Sequence, residues 1–386
     1  MAKRWTRRVF GLMALTALAA CGQKVEKAAE TPAPAAGAPY VAPSIKGQTL
    51  KIYNWSDYID PALLKAFEAE TGAKVVYDTF DSNEVLETKL LTGGTGYDLV
   101  VPSNHILPRA IAAGAVQPLD PAKTPNVKNL WPEIMAHMEP FDPGRKYDIP
   151  YMWGTIGLGY NVDAIAKRLP GVKIDSWSVV FDPANLAKLK DCGVYFLDAS
   201  EDMYAVSMKY LGKDPNSKDI ADYHAATDML LKVRPYVKKF HSSEYIDALA
   251  NGDICMAVGY SGDVLQAKAR AKEASGKVKL DYAVPKEGSQ VWFDVFAMPK
   301  DAPNPTAAYV FLDYMLRPDV IAKASNFTQY ANANAPSRPM VNAEIRDNPN
   351  VYPTPEVFAR LFVTTTKEQG LLRDVNRDWT RVKVGR

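Results

Sequence analysis

Apolar and polar positions alternate along the chain in two successive series of strand-like and helix-like segments. In the first series, Asp60-Pro61 has the residue types of a helix start, and Asp81-Ser82-Asn83-Glu84 has the spacing of a capping box. This series predicts strands over 49–54, 74–78 and 97–101 and helices over 60–72, 81–91 and 106–113. The βαβαβα order predicts a largely parallel sheet with helices on both faces.

A second series of elements follows residue 150. It predicts strands over 193–198, 254–259, 279–284 and 291–298 and helices over 199–212, 219–233, 261–275, 304–315 and from 317 onward. Two such series without an internal repeat predict an α/β fold of two doubly wound lobes joined by a hinge. A chain of 386 residues is long enough for two domains, each with its own core.

The first twenty residues have the features of an export signal. Residues 1–8 are basic, and the apolar run over 9–20 is too short to span a bilayer, which needs about 20 residues. The run ends in Leu18-Ala19-Ala20-Cys21-Gly22, which resembles a bacterial lipobox and predicts lipidation of Cys21. The alternative is an ordinary signal peptide followed by an incidental cysteine.

Thr6-Arg7-Arg8-Val9-Phe10-Gly11-Leu12 also resembles a twin-arginine export signal, although paired arginines are common in such regions. Residues 21–46 are rich in Ala and Pro, a composition that cannot bury a core, and we interpret them as a tether. We therefore expect a periplasmic, membrane-anchored lipoprotein with its folded body over 47–386.

The charge balance argues against a nucleic-acid partner. The chain has 46 Lys and Arg against 44 Asp and Glu, and four of the basic residues lie in the first twenty. Without them, 42 basic residues face 44 acidic ones, whereas a nucleic-acid binder needs a basic surface. A hydrophobic content of 47% and a charged content of 23% are typical of globular proteins and argue against a disordered chain.

Two cysteines remain beyond Cys21. In an oxidising compartment an even pair favours a disulfide between Cys192 and Cys255, and the alternative is two buried free thiols. The chain has no Cys-x-x-Cys motif, so neither a redox motif nor a zinc knuckle is indicated.

Catalytic and cofactor motifs are absent from the sequence. The Gly-x-Ser-x-Gly, phosphate-loop and Gly-x-Gly-x-x-Gly patterns do not occur, and the four His have no metal-ligand spacing. Of the four, only His105 follows a predicted strand end. We therefore expect no catalytic residues, no metal and no cofactor; a lipoprotein hydrolase with an unrecognised nucleophile is the alternative from the enzyme class.

Aromatic and acidic residues recur together at the predicted strand ends. An aromatic residue precedes an Asp by two or three positions in Trp55–Asp57, Tyr260–Asp263 and Trp292–Asp294, and the segment 198–202 adds acids at a helix start. In open α/β sheets, ligands bind beyond such strand ends. Aromatic faces and carboxylates together suit a flexible apolar chain with cationic ends. The alternative is a set of core rings beside helix caps.

Longer segments carry a family resemblance that covers nearly all of residues 47–386. Among them are Lys51-Ile52-Tyr53-Asn54-Trp55-Ser56-Asp57-Tyr58-Ile59, Tyr210-Leu211-Gly212-Lys213-Asp214-Pro215-Asn216-Ser217, Phe293-Asp294-Val295-Phe296-Ala297-Met298-Pro299 and Tyr330-Ala331-Asn332-Ala333-Asn334. In these segments the chain resembles the putrescine- and spermidine-binding periplasmic proteins of polyamine ABC importers.

The resemblance implies a type II periplasmic-binding-protein fold whose two lobes close over the ligand. One lobe would comprise 47–151 and 273–317, and the other 154–268 and 320–386. It implies a non-enzymatic, monomeric receptor that captures a polyamine and delivers it to an ABC permease. It also implies that Cys192 pairs with Cys255.

The resemblance further implies a set of ligand-binding residues, with aromatic walls, polar contacts and carboxylates for the ammonium groups. These residues are Trp55, Ser56, Asp57, Ser103, Asp202, Tyr260, Asp263, Trp292, Asp294 and Tyr330.

Several positions depart from the putrescine binders of that family. Asp202 stands where they have Glu, which makes the neighbouring Glu201 a second candidate, and Tyr260 replaces a Trp. Trp292 replaces a Phe, and His105 replaces a small polar residue. These changes leave the polyamine class in place and leave the choice between a diamine and a triamine open.

Two alternative hypotheses assume the same receptor fold but a different ligand or role. A receptor for another cationic amine or a basic amino acid would need an Arg for the α-carboxylate, and the sequence has none near the four strand ends. A polyamine sensor that acts through a signalling partner would have the same sequence features as a transport receptor.

Overall fold

The computed structural model describes residues 41–386 except Ser275. The predicted signal peptide, Cys21 and tether residues 21–40 lie outside the described residues.

Strands and helices alternate through the described part of the chain. Its strands are β1 (Thr49–Trp55), β2 (Lys74–Phe80), β3 (Leu99–Val100), β4 (Asp148–Asn161), β5 (Val194–Phe196), β6 (Lys239–Phe240), β7 (Met256–Tyr260), β8 (Leu280–Ala283), β9 (Val291–Ala297) and β10 (Ala331–Asn332). Its α-helices are α1 (Pro61–Thr71), α2 (Asn83–Thr92), α3 (Leu107–Ala112), α4 (Pro132–Met138), α5 (Val162–Arg168), α6 (Ser178–Phe181), α7 (Pro183–Leu186), α8 (Ser200–Tyr210), α9 (Ile220–Val233), α10 (Tyr245–Asn251), α11 (Ser261–Ala274), α12 (Pro305–Met315), α13 (Pro318–Thr328), α14 (Ala343–Arg346), α15 (Pro355–Phe358) and α16 (Gln369–Val384). Short 3₁₀ helices cover Pro121–Lys123, Pro125–Asn129, Ala187–Leu189, Arg234–Tyr236 and Ala335–Met340.

The strands follow the order β2-β1-β3-β9-β4-β7-β5-β6, and β8 and β10 pair with β4 beside this path. β1 is parallel to β2 and β3, and β5 is parallel to β6 and β7. β9 is antiparallel to β3 and β4, and β4 is antiparallel to β7, β8 and β10. The expectation of a largely parallel sheet is therefore wrong for its middle. β4 is antiparallel to every strand with which it pairs, so the parallel pairs lie only in the outer parts of the sheet.

β4 holds the middle of the sheet together. Its first part, Asp148–Thr155, pairs with β9, and its second part, Ile156–Asn161, pairs with β7 and β8. Fourteen residues long and buried for most of its length, it was not predicted as a strand. The C-terminal helix α16 was also missed.

Helix starts follow the expected chemistry with one change. Asp60 caps α1 by accepting from the Ala62 amide, with Pro61 in the first position. The expected capping box at 81–84 is not formed: Ser82, rather than Asp81, caps α2 by accepting from the Val85 amide. The Glu84 side chain is thereby free to bond elsewhere.

Cys192 and Cys255 form a disulfide with a Cα–Cα distance of 5.5 Å. They precede the neighbouring strands β5 and β7, so the bond joins the two segments that lead into the same part of the sheet. The predicted pairing is confirmed. Within the described residues, none of the helices has the length and apolar composition needed to cross a membrane.

Candidate ligand-binding cavity

A cavity opens where the ends of several strands and helices meet, and its empty space, counted together with the solvent at its mouth, is about 490 Å³. Its lining is rich in aromatic and acidic side chains. The lining residues are Trp55, Ser56, Tyr58, Phe80, Asp81, Ser103, Asp202, Ser242, Ser243, Tyr260, Asp263, Trp292, Asp294 and Tyr330. Nine of the ten residues implied by the family resemblance are thus brought together; Asp57 is the exception.

Most of these residues lie just beyond the carboxyl ends of parallel strands. Trp55 ends β1, Ser103 follows β3, and Tyr260 ends β7. Asp202 and Asp263 lie in the first turns of α8 and α11. This is the edge at which ligands bind in open α/β sheets.

The same edge of the sheet also contains two residues that do not follow a strand. Trp292 and Asp294 lie in the first half of β9. β9 runs antiparallel to β3, so its beginning lies beside the carboxyl end of β3. An isolated bridge between Ser103 and Asp294 marks this meeting point.

Asp263 is held by two tyrosines. The Tyr245 hydroxyl donates to Oδ2 at 2.7 Å and the Tyr330 hydroxyl to Oδ1 at 2.6 Å. Burial raises the pKa of Asp263 to about 6, and these two hydrogen bonds oppose the rise.

Asp294 accepts a hydrogen bond of 2.6 Å from Ser103 Oγ. Ser103 is in turn fixed by Asn83, whose Nδ2 lies 3.0 Å from Ser103 Oγ and whose Oδ1 accepts from the Ser103 amide at 3.2 Å. Burial raises the pKa of Asp294 to about 7, with a further contribution from the negative charges of Asp202 and Asp263. The other two acids of the cavity thus lie close enough to Asp294 to affect its ionisation.

Asp202 has a neutral donor on each oxygen. The Tyr260 hydroxyl donates to Oδ2 and Gln290 Nε2 to Oδ1, both at 2.8 Å. Tyr260 and Asp202, two of the positions at which the family resemblance implies a departure from the putrescine binders, therefore bond to each other.

The aromatic side chains form a continuous wall around Trp292. Its ring centroid lies 5.8 Å from that of Tyr260, 5.2 Å from Tyr330 and 6.4 Å from Tyr58. Trp55 lies on another side, packed 4.5 Å from Phe80 and donating from Nε1 to the Val101 carbonyl at 2.9 Å.

The wall depends on a glycine at the start of α11. A Cβ on Gly262 would lie 2.4–2.5 Å from ring atoms of Tyr330. Since Tyr330 both lines the cavity and bonds to Asp263, only glycine allows the ring to approach the helix this closely.

Asp57 lies outside this lining. Its side chain is exposed, and Oδ1 forms an ion pair of 2.5 Å with Arg270 Nη2. Arg270 also pairs with Asp247 at 2.7 Å. The backbone of Asp57 has a φ of +55°, a left-handed conformation that Asp tolerates better than most residues.

Glu201, the second candidate for the acid at the start of α8, is also directed away from the cavity. It pairs with Arg109 Nη2 at 2.8 Å and with Lys367 Nζ at 3.2 Å. Against the effect of burial, the charges of Lys367, His105 and Arg109 lower the pKa of Glu201 to about 2. The expectation that no Arg lies near the strand ends was wrong, since Arg109 and Arg270 both do, but each is engaged by two carboxylates.

Sequence reasoning missed five lining residues: Tyr58, Phe80, Asp81, Ser242 and Ser243. Phe80-Asp81 follows β2 and repeats the aromatic–Asp pattern, so the same reasoning applied to that strand would have found it. Ser242 and Ser243 follow β6, a strand too short to be predicted. His105 is buried but is not part of the lining, and burial lowers its pKa.

The described lining contains acids and no Lys or Arg. Among the residues that the structure covers, no group of three or more His, Cys, Asp and Glu could hold a metal ion. The cavity is thus suited to an organic cation with an apolar chain, because carboxylates accept its N–H groups while rings pack its methylenes.

Comparison with known proteins identifies the family. Residues 62–354 match the family described as bacterial extracellular solute-binding protein. The chain belongs to this family of solute-binding proteins. This family membership sets the hydrolase alternative aside, because its members are solute receptors and not enzymes.

Relatives of this solute-binding protein cover most of its length. It is 54% identical over 341 residues to the putrescine-binding periplasmic protein PotF of Escherichia coli K12, covering 88% of this chain and 92% of the relative. It is 47% identical to the putrescine-binding periplasmic protein SpuD of Pseudomonas aeruginosa UCBPP-PA14, covering 90% and 95%. The resemblance stated from sequence and the α/β type II fold are confirmed.

A solved structure agrees with this placement. A putative spermidine/putrescine ABC transporter protein from Listeria monocytogenes superimposes with a TM-score of 0.79 at 34% identity. The match covers 88% of this chain and all of the other.

Proposed function

We propose that this solute-binding protein binds a linear polyamine, such as putrescine or spermidine, outside the cytoplasm and delivers it to an ABC permease. The observation that carries the proposal is the cavity itself. Asp202, Asp263 and Asp294 are buried in it among aromatic rings, and no basic side chain of the described lining neutralises them.

Electrostatics favours a cationic ligand. Three buried carboxylates in one cavity repel one another, and burial disfavours the charged forms of Asp263 and Asp294. A bound ammonium supplies the missing counter-charge through charge-assisted hydrogen bonds, and an adjacent ring adds about 0.5–2 kcal/mol by cation–π attraction. An alkyl chain between two ammonium groups fits the rings between the acids.

The relatives support the same ligand class. The E. coli and P. aeruginosa relatives are putrescine-binding periplasmic proteins, and the Listeria structure is described as a spermidine/putrescine transporter. A basic amino acid is less favoured, because its carboxylate would need an Arg, and Arg109 and Arg270 are already paired with carboxylates. A sensor role would use the same cavity and differs only in its partner.

Isothermal titration calorimetry with putrescine, cadaverine, spermidine and spermine tests the proposal. We expect saturable binding of at least one of them, a rise in melting temperature, and no binding of L-arginine or L-lysine. The absence of both heat and a melting shift with all four polyamines would refute it. Polyamine uptake by cells that lack the protein separates transport, which predicts reduced uptake, from sensing.

We also propose that the body consists of two lobes that close over the ligand, over 47–151 with 273–317 and over 154–268 with 320–386. β4 supports this division, since its two parts pair with different sets of strands. The pairing of β8 with Leu158–Asn161 favours moving β8 to the second lobe. Small-angle scattering should report a smaller radius of gyration with polyamine than without it.

We further propose that Cys21 carries a lipid anchor, that residues 21–46 act as its tether, and that the receptor is a monomer. The lipobox-like Leu18-Ala19-Ala20-Cys21 supports the anchor. Metabolic labelling with a fatty acid should mark the wild-type protein and not Cys21→Ser. Equal labelling of both would exclude this anchor.

A further inference from the structure

The helix that carries Asp202 does not cap its own start. Ala199 occupies the N-cap position of α8 and has no side-chain acceptor. Instead, Glu84 Oε1 accepts from the Ser200 amide at 3.0 Å and lies 2.9 Å from Ser200 Oγ, which also lies 2.8 Å from Asn376 Oδ1. An acceptor oxygen at a helix start satisfies an otherwise unpaired N–H.

This cap comes from a distant part of the fold. Glu84 lies in the first turn of α2, which connects β2 to β3, whereas α8 follows β5. β2 lies at one end of the sheet path and β5 near the other. The bonds from Glu84 to Ser200 therefore form only when α2 and α8 are held together.

The residue before Glu84 supports a second carboxylate. Asn83 holds Ser103 through two hydrogen bonds, and Ser103 donates to Asp294. Consecutive residues at the start of α2 thus reach two acids of the cavity, Asn83 through Ser103 to Asp294, and Glu84 through Ser200 to the turn that contains Asp202.

We propose that Glu84 is a positioning residue of the cavity, which caps α8 from the opposite part of the sheet and thereby fixes Asp202 for an ammonium group. The proposal rests on the polyamine-binding function proposed above. Glu84 itself does not line the cavity, so it acts on the ligand through Ser200 and α8.

Calorimetry on Glu84→Ala and Glu84→Gln tests this role, with Glu133→Ala, an exposed acid in the first turn of α4, as the matched control. We expect Glu84→Ala to weaken polyamine binding about tenfold, the size expected for loss of a helix cap. Glu84→Gln keeps an acceptor oxygen and should stay within about threefold of wild type. Glu133→Ala should bind as wild type does.

Two further measurements separate positioning from a general loss of structure. In a double-mutant cycle, Glu84→Ala should add little to Asp202→Asn, because both act on the same contact. Hydrogen exchange in the ligand-saturated protein should show a faster Ser200 amide in Glu84→Ala than in wild type. If Glu84→Ala does not fold, Glu84→Asp, which keeps the acid but shortens the side chain by one methylene away from Ser200, takes its place in both measurements.

Unchanged affinity in Glu84→Ala, or an equal loss in the wild-type and Asp202→Asn backgrounds, would overturn the positioning role. Wild-type protein that binds no polyamine would instead overturn the proposed function. The exchange of the Ser200 amide, measured then without ligand, would still report whether Glu84 caps α8.

Discussion

Glu201 and Asp202 are neighbours in the first turn of α8, and both are buried, yet their surroundings are opposite. Glu201 has two cations of the protein, Arg109 and Lys367, at 2.8 and 3.2 Å. Asp202 has two neutral donors, Tyr260 and Gln290. One side of the helix start is thus a completed ion cluster, and the other is an anionic surface within a cavity.

The difference teaches how a binding site is distinguished from a structural ion pair. Burying a carboxylate without a cation costs free energy, and the fold recovers that cost at Glu201 but not at Asp202, Asp263 and Asp294. Hydroxyl and amide donors orient these three acids without neutralising them. A cationic ligand can therefore bind by forming the ion pairs that these three carboxylates do not form within the protein.

The largest expected effect comes from Asp263→Asn. This change keeps the shape of the side chain and removes its charge, so a bound ammonium would face no counter-charge in a buried site. We expect affinity for the polyamine to fall roughly 100- to 1,000-fold, or about 3–4 kcal/mol.

Titration calorimetry measures this change, with Asp228→Asn, an exposed aspartate on α9, as the control. Affinity equal to that of the control would show that Asp263 does not contact the ammonium. Asp263 would then no longer count among the carboxylates that await a cationic ligand.

The second expected effect is on protein stability and concerns Glu201, the acid that is paired with cations of the protein. Glu201→Gln leaves Arg109 and Lys367 buried with less opposing charge, and we expect the free energy of unfolding to fall by about 3 kcal/mol. Polyamine affinity should change by no more than about threefold, because Glu201 does not line the cavity.

Denaturant unfolding and calorimetry on the same samples measure the two quantities, with Glu133→Gln as the control. A large loss of affinity at unchanged stability would reverse the roles that we assign to Glu201 and Asp202.

The smallest expected effect is a pH dependence of binding. Burial raises the pKa of Asp263 to about 6 and that of Asp294 to about 7, and a cationic ligand favours their deprotonated forms. Affinity should therefore rise from pH 5 to pH 8, by about 10-fold if only Asp263 must be charged and by about 100-fold if only Asp294 must be, with release of protons on binding near pH 6. Calorimetry in buffers of different ionisation enthalpy counts these protons.

The sign for stability is opposite in the ligand-free protein. A carboxyl with a raised folded-state pKa contributes stability at low pH, and that contribution is lost as the pH rises through 6 and 7. Glu201, whose pKa is lowered to about 2, contributes a constant amount over this range. The melting shift caused by polyamine should hence grow with pH; a constant shift and no proton release would argue against charged Asp263 and Asp294 as the ligand contacts.

Much of the candidate cavity could be predicted because aromatic–Asp pairs follow strands in the sequence. Trp55, Tyr260 and Asp263 were found in this way, and Phe80-Asp81 repeats the pattern at β2. Asp57 has the same pattern but lies outside the lining, because it pairs with Arg270 instead. Arg270 is 213 positions away in the chain, so local sequence could not reveal this ion pair. Residue type and spacing alone do not distinguish Glu201 from Asp202, because the difference between them depends on where Arg109 and Lys367 lie.

The long strand β4 was missed for a related reason. It contains Gly157 and Gly159, which local propensity counts against a strand. In the fold, a Cβ at Gly157 would lie 2.5 Å from Tyr282 Oη, and one at Gly159 would lie 2.5 Å from a Val264 methyl carbon. The glycines serve close packing against segments more than 100 residues away.

The sequence by itself determined many of the local elements, their order and the residue types available at the strand ends, because helix caps, apolar periodicity and turn residues act over a few positions. Only the tertiary structure decided which acids are neutralised by the protein and which face a cavity. That decision depends on cations and donors from distant segments, and on β9 running antiparallel to β3, which brings Asp294 to Ser103. Charge pairing in a buried site is a property of three-dimensional proximity, which spacing along the chain does not record.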